Sequence, residues 1–318
     1  MPLNEDVVAV LSAVGPNGPD PLLPQDDSPE ALGRSLAALR VTPARPVAPD
    51  DPVSAHDRTT DGGVPLRVYA RAASGLQPIV IFLHGGGWVL GDLDMHDHVC
   101  RRIAADGFVV VSVDYRLAPE HVFPAAIDDT IAALDWVADN AAELGGDAAR
   151  LVAMGSSAGG NLAAALALHD RATGGRRIAA QVLAYPVLDS RQDTSSYRDN
   201  ATGYFLTARQ MAWFWDQYAP DPASREDWRA SPAHTPTLVG LPPAIVVTAE
   251  FDVLRDEGDE YARRLAADGV DVHHLPVPGV IHGFLAMAPN VAAAEPVLAD
   301  VLGRLHGILD STPTGSDV

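Results

Sequence analysis

The sequence predicts an α/β protein with a mostly parallel central sheet, flanking helices and a helical cap. Three observations carry that expectation. From about residue 64 onward, short apolar runs alternate with helical patterns. Between Ile79 and Thr248 those runs are nearly continuous, which is how strands buried on both faces read. One stretch, Asp189–Pro236, interrupts the rhythm and holds no strand pattern. Strand, helix, strand repeated in this way implies parallel strands joined by covering helices.

In chain order, Val7, Val10, Leu11 and Val14 share one helical face. Ser28-Pro29 reads as an N-cap and first-turn proline opening a second helix, with Leu32, Leu36 and Leu39 on one stripe. The proline-rich Val41–Pro52 is a linker. Strands are expected at Pro65–Ala70, Ile79–Leu83, Phe108–Val113, Leu151–Met154, Ala180–Ala184, Ala244–Thr248 and Val272–Leu275. Helical patterns lie around Met95–Asp106, Ala125–Asn140, Ala158–Asp170 and Gly258–Asp268. The last, Ala292–Ile308, carries Leu298, Val301, Leu302 and Leu305 on one face. Within the interrupting stretch, Thr207-x-x-Gln210 is a capping box, followed by a stripe of Met211, Phe214, Trp215 and Tyr218. The expected organisation is N-terminal cap helices and linker over 1–50 and a core over 51–188 and 237–309. A second cap segment covers 189–236, and a polar, disordered tail covers 310–318.

Composition removes several classes of chemistry. Acidic residues outnumber basic ones 42 to 22 across 318 residues, a formal charge of −20. Such a surface repels phosphate backbones, so no nucleic-acid partner is expected. Every cation is arginine, which excludes a lysine Schiff base and a Walker-A loop. Cys100 is the single cysteine and reads as a buried thiol; no internal disulfide or thiolate zinc cluster can form. No apolar run approaches the 18 or so residues of a membrane span, and MPLNEDVVAV lacks the basic start of a secretory signal. No membrane association is expected, and the cytoplasm is the expected location.

Gly155-Ser156-Ser157-Ala158-Gly159 fits G-x-S-x-G between a strand and a small-residue helix. On that sharp turn Ser157 is held out at the strand end, and a Cβ at Gly155 or Gly159 would collide across it. His84-Gly85-Gly86-Gly87-Trp88 follows another strand, and its amides, with that of Ala158, can meet a carbonyl oxygen that is becoming an anion. His84 reads as support for this loop rather than as a base. A serine hydroxyl needs a base oriented by an acid. His282, in Pro278–Phe284 on a turn after the late strand, is the candidate base, whereas His273 and His274 lie within the strand. Glu250, Asp252 and Asp256 follow the preceding strand as candidate acids, and Ser157…Asp252…His282 keeps the order serine, acid, histidine.

Four motifs carry a resemblance: His84–Trp88, Tyr115-Arg-Leu-Ala-Pro-Glu120, Gly155–Gly160 and Asp252-Val-Leu-Arg-Asp256. Together they resemble the hormone-sensitive-lipase-like α/β-hydrolases, the bacterial family IV esterases, over about residues 64–308. The resemblance implies a capped α/β-hydrolase with Ser157 as nucleophile, Asp252 as acid and His282 as base. It implies oxyanion donors at Gly86, Gly87 and Ala158, with Gly85 adjoining, and cleavage of short- to medium-chain acyl esters without a cofactor. Arg116 and Glu120 are read as structural. Two departures are Ser156, where Asp or Thr is usual, and Asp-Val-Leu, where Asp-Pro-Leu is commoner.

The expected partner is thus a small-molecule ester. The pocket is assigned to Trp88, Met211, Phe214 and Trp215 together with the N-terminal helices, while Asp94, His96 and Asp97 either rim it or begin a solvated helix. Activity is expected to fall in mild acid as His282 protonates, since the cation cannot act as a base; a flat rate into strong acid would count against it. Amide, lactone or carbamate hydrolysis fits the same triad. A non-catalytic binding protein of this fold, like the plant gibberellin receptors that have lost the histidine, fits less well because all three residues are present. The acidic surface also disfavours a lipase working on anionic membranes. An edge strand near the C-terminal end of the sheet offers a route to a homodimer.

Overall fold

The computed structural model describes residues 2–16, 36–37, 39–40, 46–175 and 177–311. Most of the helix expected to open at Ser28, apart from 36–37 and 39–40, and nearly all of the tail fall outside the described residues. The structure begins with α1 (Glu5–Val14), whose Val7 and Leu11 are buried while Val14 is exposed. Eight strands form one sheet in the order β1-β2-β4-β3-β5-β6-β7-β8. Their bounds are β1 Val53–Thr59, β2 Pro65–Arg71, β3 Gln77–Leu83, β4 Val109–Val113, β5 Gly146–Ser156, β6 Ile178–Ala184, β7 Ala244–Phe251 and β8 Val272–Ile281. The pairs β1/β2 and β2/β4 are antiparallel, and the others are parallel.

Alternate residues of the central strands enter two separate cores. Ile79, Ile81 and Leu83 of β3 join Val109, Val111 and Val113 of β4 in one. That face is covered by α3 (Ala125–Asn140) and α4 (Ala158–Ala172), through Ile127, Leu134, Leu162 and Leu166. Val80, Phe82 and Val110 join the opposite core, closed by α2 (Asp97–Ala105) and α9 (Ala294–Asp310) through Ile103, Leu298, Val301 and Leu302. Burial on both faces explains the unbroken apolar runs. The 189–236 stretch holds α5 (Ser195–Asp199), α6 (Ala208–Tyr218) and α7 (Pro222–Arg225), before α8 (Arg255–Ala267) returns to the sheet. The capping box at α6 forms as expected, with Thr207 and Gln210 exchanging side-chain and backbone hydrogen bonds.

Three expectations need correction. Strand β1 was not anticipated, because its VSAHDRT is polar and mostly exposed and so lacks an apolar run. Strand β8 continues through Pro276, Pro278 and Gly279 to Ile281, well past the expected end at Leu275, and His282 opens the turn that follows it, as expected. Helix α2 begins at Asp97, after a turn that includes Met95.

What positions the site is the order of the central strands. From β3 the chain crosses to β4 on one side, then returns to place β5 on the other. The loops leaving the carboxyl ends of β3 and β5 therefore part in opposite directions and open a crevice between them, where ligands of open α/β sheets bind.

Candidate active site

Sheet register brings the candidate residues together. Leu83 of β3 pairs with Gly155 of β5, so the glycine loop after β3 and the Ser157 turn after β5 begin side by side. Phe251 of β7 pairs with Ile281 of β8, so the next residues, Asp252 and His282, leave the sheet as neighbours. The His282 Nδ1 lies 2.7 Å from Asp252 Oδ2, and its Nε2 lies 2.9 Å from Ser157 Oγ. All three residues are buried, with Ser157 8% and His282 7% exposed.

Ser157 has φ 57° and ψ −121°, a left-handed backbone that a non-glycine residue holds only when its surroundings over-determine it. They do so by close approach. A Cβ at Gly155 would fall on the Gly159 carbonyl, and one at Gly159 would fall on the Leu83 carbonyl. The turn then feeds directly into α4, and the Ala158 N–H is the first of that helix, without an intrahelical acceptor. Its neighbours across the crevice are Gly85, Gly86 and Gly87, the last two with φ of 122° and 62°.

Geometry separates the acid candidates. Asp252 Oδ2 faces His282, and its Oδ1 accepts the Leu254 N–H at 3.0 Å. Glu250 instead takes the Gly279 N–H at 2.7 Å. Asp256 takes the Ser196 N–H at 2.7 Å and pairs with Arg255. The inserted stretch grips this loop further: Asn200 Nδ2 donates to the Asp252 carbonyl at 3.0 Å and Ser196 Oγ to that of Val253 at 2.6 Å.

The family model described as alpha/beta hydrolase fold matches residues 80–286. The chain belongs to the α/β-hydrolase family. It is 42% identical over 254 residues to a carboxylesterase, NlhH, of Mycobacterium tuberculosis, covering 78% of each protein. It is 37% identical to an ethyl acetate hydrolase of Pseudomonas putida, over 96% of this chain and 99% of that one. Among solved structures, a thermostable esterase from Pseudomonas putida superposes with a TM-score of 0.86 at 38% identity, covering 97% of this chain and 98% of that one. These relatives bear out the hormone-sensitive-lipase-like resemblance.

The hydrolase has a pocket of about 390 Å³ over Ser157 and His282. Of the expected pocket residues, Met211 and Phe214 line it, as does Leu39 of the N-terminal segment. Trp88 and Trp215 do not. Both are fully buried, with ring centroids 4.9 Å apart, and Trp88 stacks on Tyr218 at 4.2 Å and 5°. The stripe on α6 is thus split. Successive residues point about 100° apart around a helix, so Phe214 and Trp215 cannot share a direction. Phe214 lies against the Cα of Gly87, where an added Cβ would strike its ring. Trp88, itself at φ 60°, is held from the other side by the Trp215 and Tyr218 rings.

His84 supports the glycine loop, as its position suggests. Its Nδ1 donates to the Gly85 carbonyl at 2.8 Å, its ring stacks on Tyr115 at 4.2 Å, and the Tyr115 hydroxyl donates to its carbonyl. Burial pushes its imidazole down to about 4, so it stays neutral through mild acid. His96 lines the pocket, whereas Asp94 and Asp97 turn to Arg67. Arg116 pairs with Asp129 and Glu120 with Arg40, consistent with structural roles. Cys100 is fully buried, which pushes its thiol pKa up.

Sequence reasoning missed Tyr185. It follows β6 at φ 37°, lines the pocket, and meets the His282 ring edge-on at 5.0 Å. Burial pushes its hydroxyl pKa up, so it stays protonated. No motif announces it; the only signal is its place at the end of a strand beside the nucleophile strand.

Proposed function

We propose that the protein is a serine carboxylesterase that hydrolyses short- to medium-chain acyl esters through an acyl-enzyme. The observation that carries this reading is the hydrogen-bonded line Asp252–His282–Ser157 on the floor of a largely apolar pocket, facing the glycine loop. His282 takes the Ser157 proton as Oγ attacks the ester carbonyl. The resulting oxyanion is received by the amides of Gly86, Gly87 and Ala158, with Gly85 adjoining, at the positive end of α4. Imidazolium, steadied by Asp252, protonates the leaving alcohol, and water repeats the sequence to release the acid.

The carbonyl carbon must sit within reach of Ser157, so the acyl or alcohol chain runs along the wall formed by Met211, Phe214 and Leu39. That wall carries no charged side chain, which favours uncharged esters. On p-nitrophenyl acetate, butyrate, octanoate and palmitate, the expected profile is strong turnover of the short esters and little of palmitate. Phe214→Ala is expected to raise the octanoate-to-acetate ratio of kcat/KM by roughly tenfold, since trimming an apolar wall admits extra methylenes. An unaltered ratio would take Phe214 out of the chain-binding wall.

No described helix is long and apolar enough to cross a membrane. The reading also includes a homodimer through β8, the strand that ends the sheet.

A further inference from the structure

We propose that Arg40, from the N-terminal segment, is a positioning residue for the glycine loop that receives the oxyanion; the inference rests on the esterase reading. Arg40 lies 49 residues before Val89 in sequence, yet its Nε donates to the Val89 carbonyl at 2.8 Å. Its Nη2 donates to the Ala118 carbonyl at 2.7 Å. Both remaining faces of the guanidinium are taken by Glu120, with Nη1 to Oε1 at 2.8 Å and Nη2 to Oε2 at 2.9 Å.

The two carbonyls belong to the two loops that build this side of the site. The loop from Gly86 to Leu90 is a tight turn in which the Gly86 carbonyl accepts the amides of both Val89 and Leu90. The Tyr115–Glu120 turn is joined to it by the Ala118 N–H, which donates to the Trp88 carbonyl at 2.9 Å. Arg40 adds a second tie, a planar fork that spans both loops and is neutralised in place by Glu120. Val89 and Ala118 are fully buried, so water is poorly placed to replace the lost donors if Arg40 is removed.

The need for such a tie is visible in the backbone. Gly86, Gly87 and Trp88 form three consecutive residues at positive φ, of 122°, 62° and 60°. A loop in that conformation relaxes unless its neighbours hold it. Trp88 is held by the rings of α6, and Val89, on the other flank, is held by Arg40. Leu39 reaches the pocket wall, whereas the Arg40 guanidinium turns away to the backbone of the loops. Arg40 therefore acts through amide placement rather than through the substrate.

The test compares wild type with Arg40→Ala and Arg40→Lys on p-nitrophenyl butyrate. Arg40→Ala is expected to lower kcat by about ten- to a hundredfold, the scale of a small misplacement of reacting groups, with KM changed less than about twofold. Affinity for a boronic acid that forms a tetrahedral adduct on Ser157 should fall in parallel with kcat/KM. Added guanidinium at millimolar levels should restore part of the rate in Arg40→Ala, and Arg40→Lys, lacking the fork, should stay impaired. Hydrogen exchange in Arg40→Ala should rise at the loop amides of Val89, Leu90 and Ala118 and not in the sheet. Unchanged kcat, or a loss shared equally by KM and by exchange protection throughout the chain without rescue, overturns the proposal. If wild type itself turns over no ester while exchange still rises at those three amides, the esterase reading fails and the positioning contact stands.

Discussion

Ser157→Ala is expected to lower kcat on p-nitrophenyl butyrate by roughly four to six orders of magnitude. The size follows from the geometry. Ser157 Oγ carries the hydroxyl that donates to His282 Nε2 at the mouth of α4, and no other hydroxyl in the described residues shares that contact. Removing it deletes the covalent step, and only binding and the polar loop remain to assist water. The fold should survive, since the same backbone conformation is imposed on alanine by the Gly155–Gly159 contact. Circular dichroism matching wild type with the activity gone is the expected pair of results. Comparable rates in both proteins would place the nucleophile elsewhere.

Asp252→Asn is expected to cost about ten-thousandfold in kcat, with the structure intact. Asp252 Oδ1 is already committed to the Leu254 N–H, and Oδ2 to His282 Nδ1. An asparagine that keeps its oxygen on Leu254 must turn its NH2 toward His282. Nδ1 then becomes an acceptor and Nε2 carries the proton, so the imidazole presents an N–H to Ser157 instead of a lone pair. The ring is in place in the wrong tautomer. A loss smaller than tenfold would assign the acid role to Glu250 or Asp256, although both are engaged elsewhere, with Gly279 and with Ser196.

What the sequence made legible was what local chemistry or local pattern dictates. β3 and β4 are seven and five residues of nearly pure apolar character because both faces are buried. The turn at Ser157 is legible because two glycines at fixed spacing are the means by which the chain makes it. β1 escaped notice because an antiparallel edge strand with a solvated face needs no apolar run. The end of β8 was hidden by prolines that an edge strand tolerates. In the pocket, periodicity identified one apolar stripe on α6 but carried no information on how the helix is rotated about its axis. That rotation is set by the Trp88 ring, far away in sequence, and it sends Phe214 to the pocket and Trp215 to the core. Arg40 was illegible for the same reason: an arginine that bonds to carbonyls 49 and 78 residues away has no local signature. The candidate triad was legible in composition, order and family resemblance, which singled out Asp252 among three acids, while the register that sets Asp252 beside His282 became visible only in the sheet.

The backbone at Ser157 also has an evolutionary consequence. A non-glycine residue at φ 57° and ψ −121° costs the folded chain about 1–3 kcal/mol, out of a total stability of roughly 5–15. Glycine would relieve most of that at an entropic cost of about 0.5–1 kcal/mol. Judged by stability alone, position 157 therefore favours glycine, and under the proposed mechanism a serine there is kept for its hydroxyl. A lineage released from the reaction should lose this residue early, before the apolar strands that hold it up.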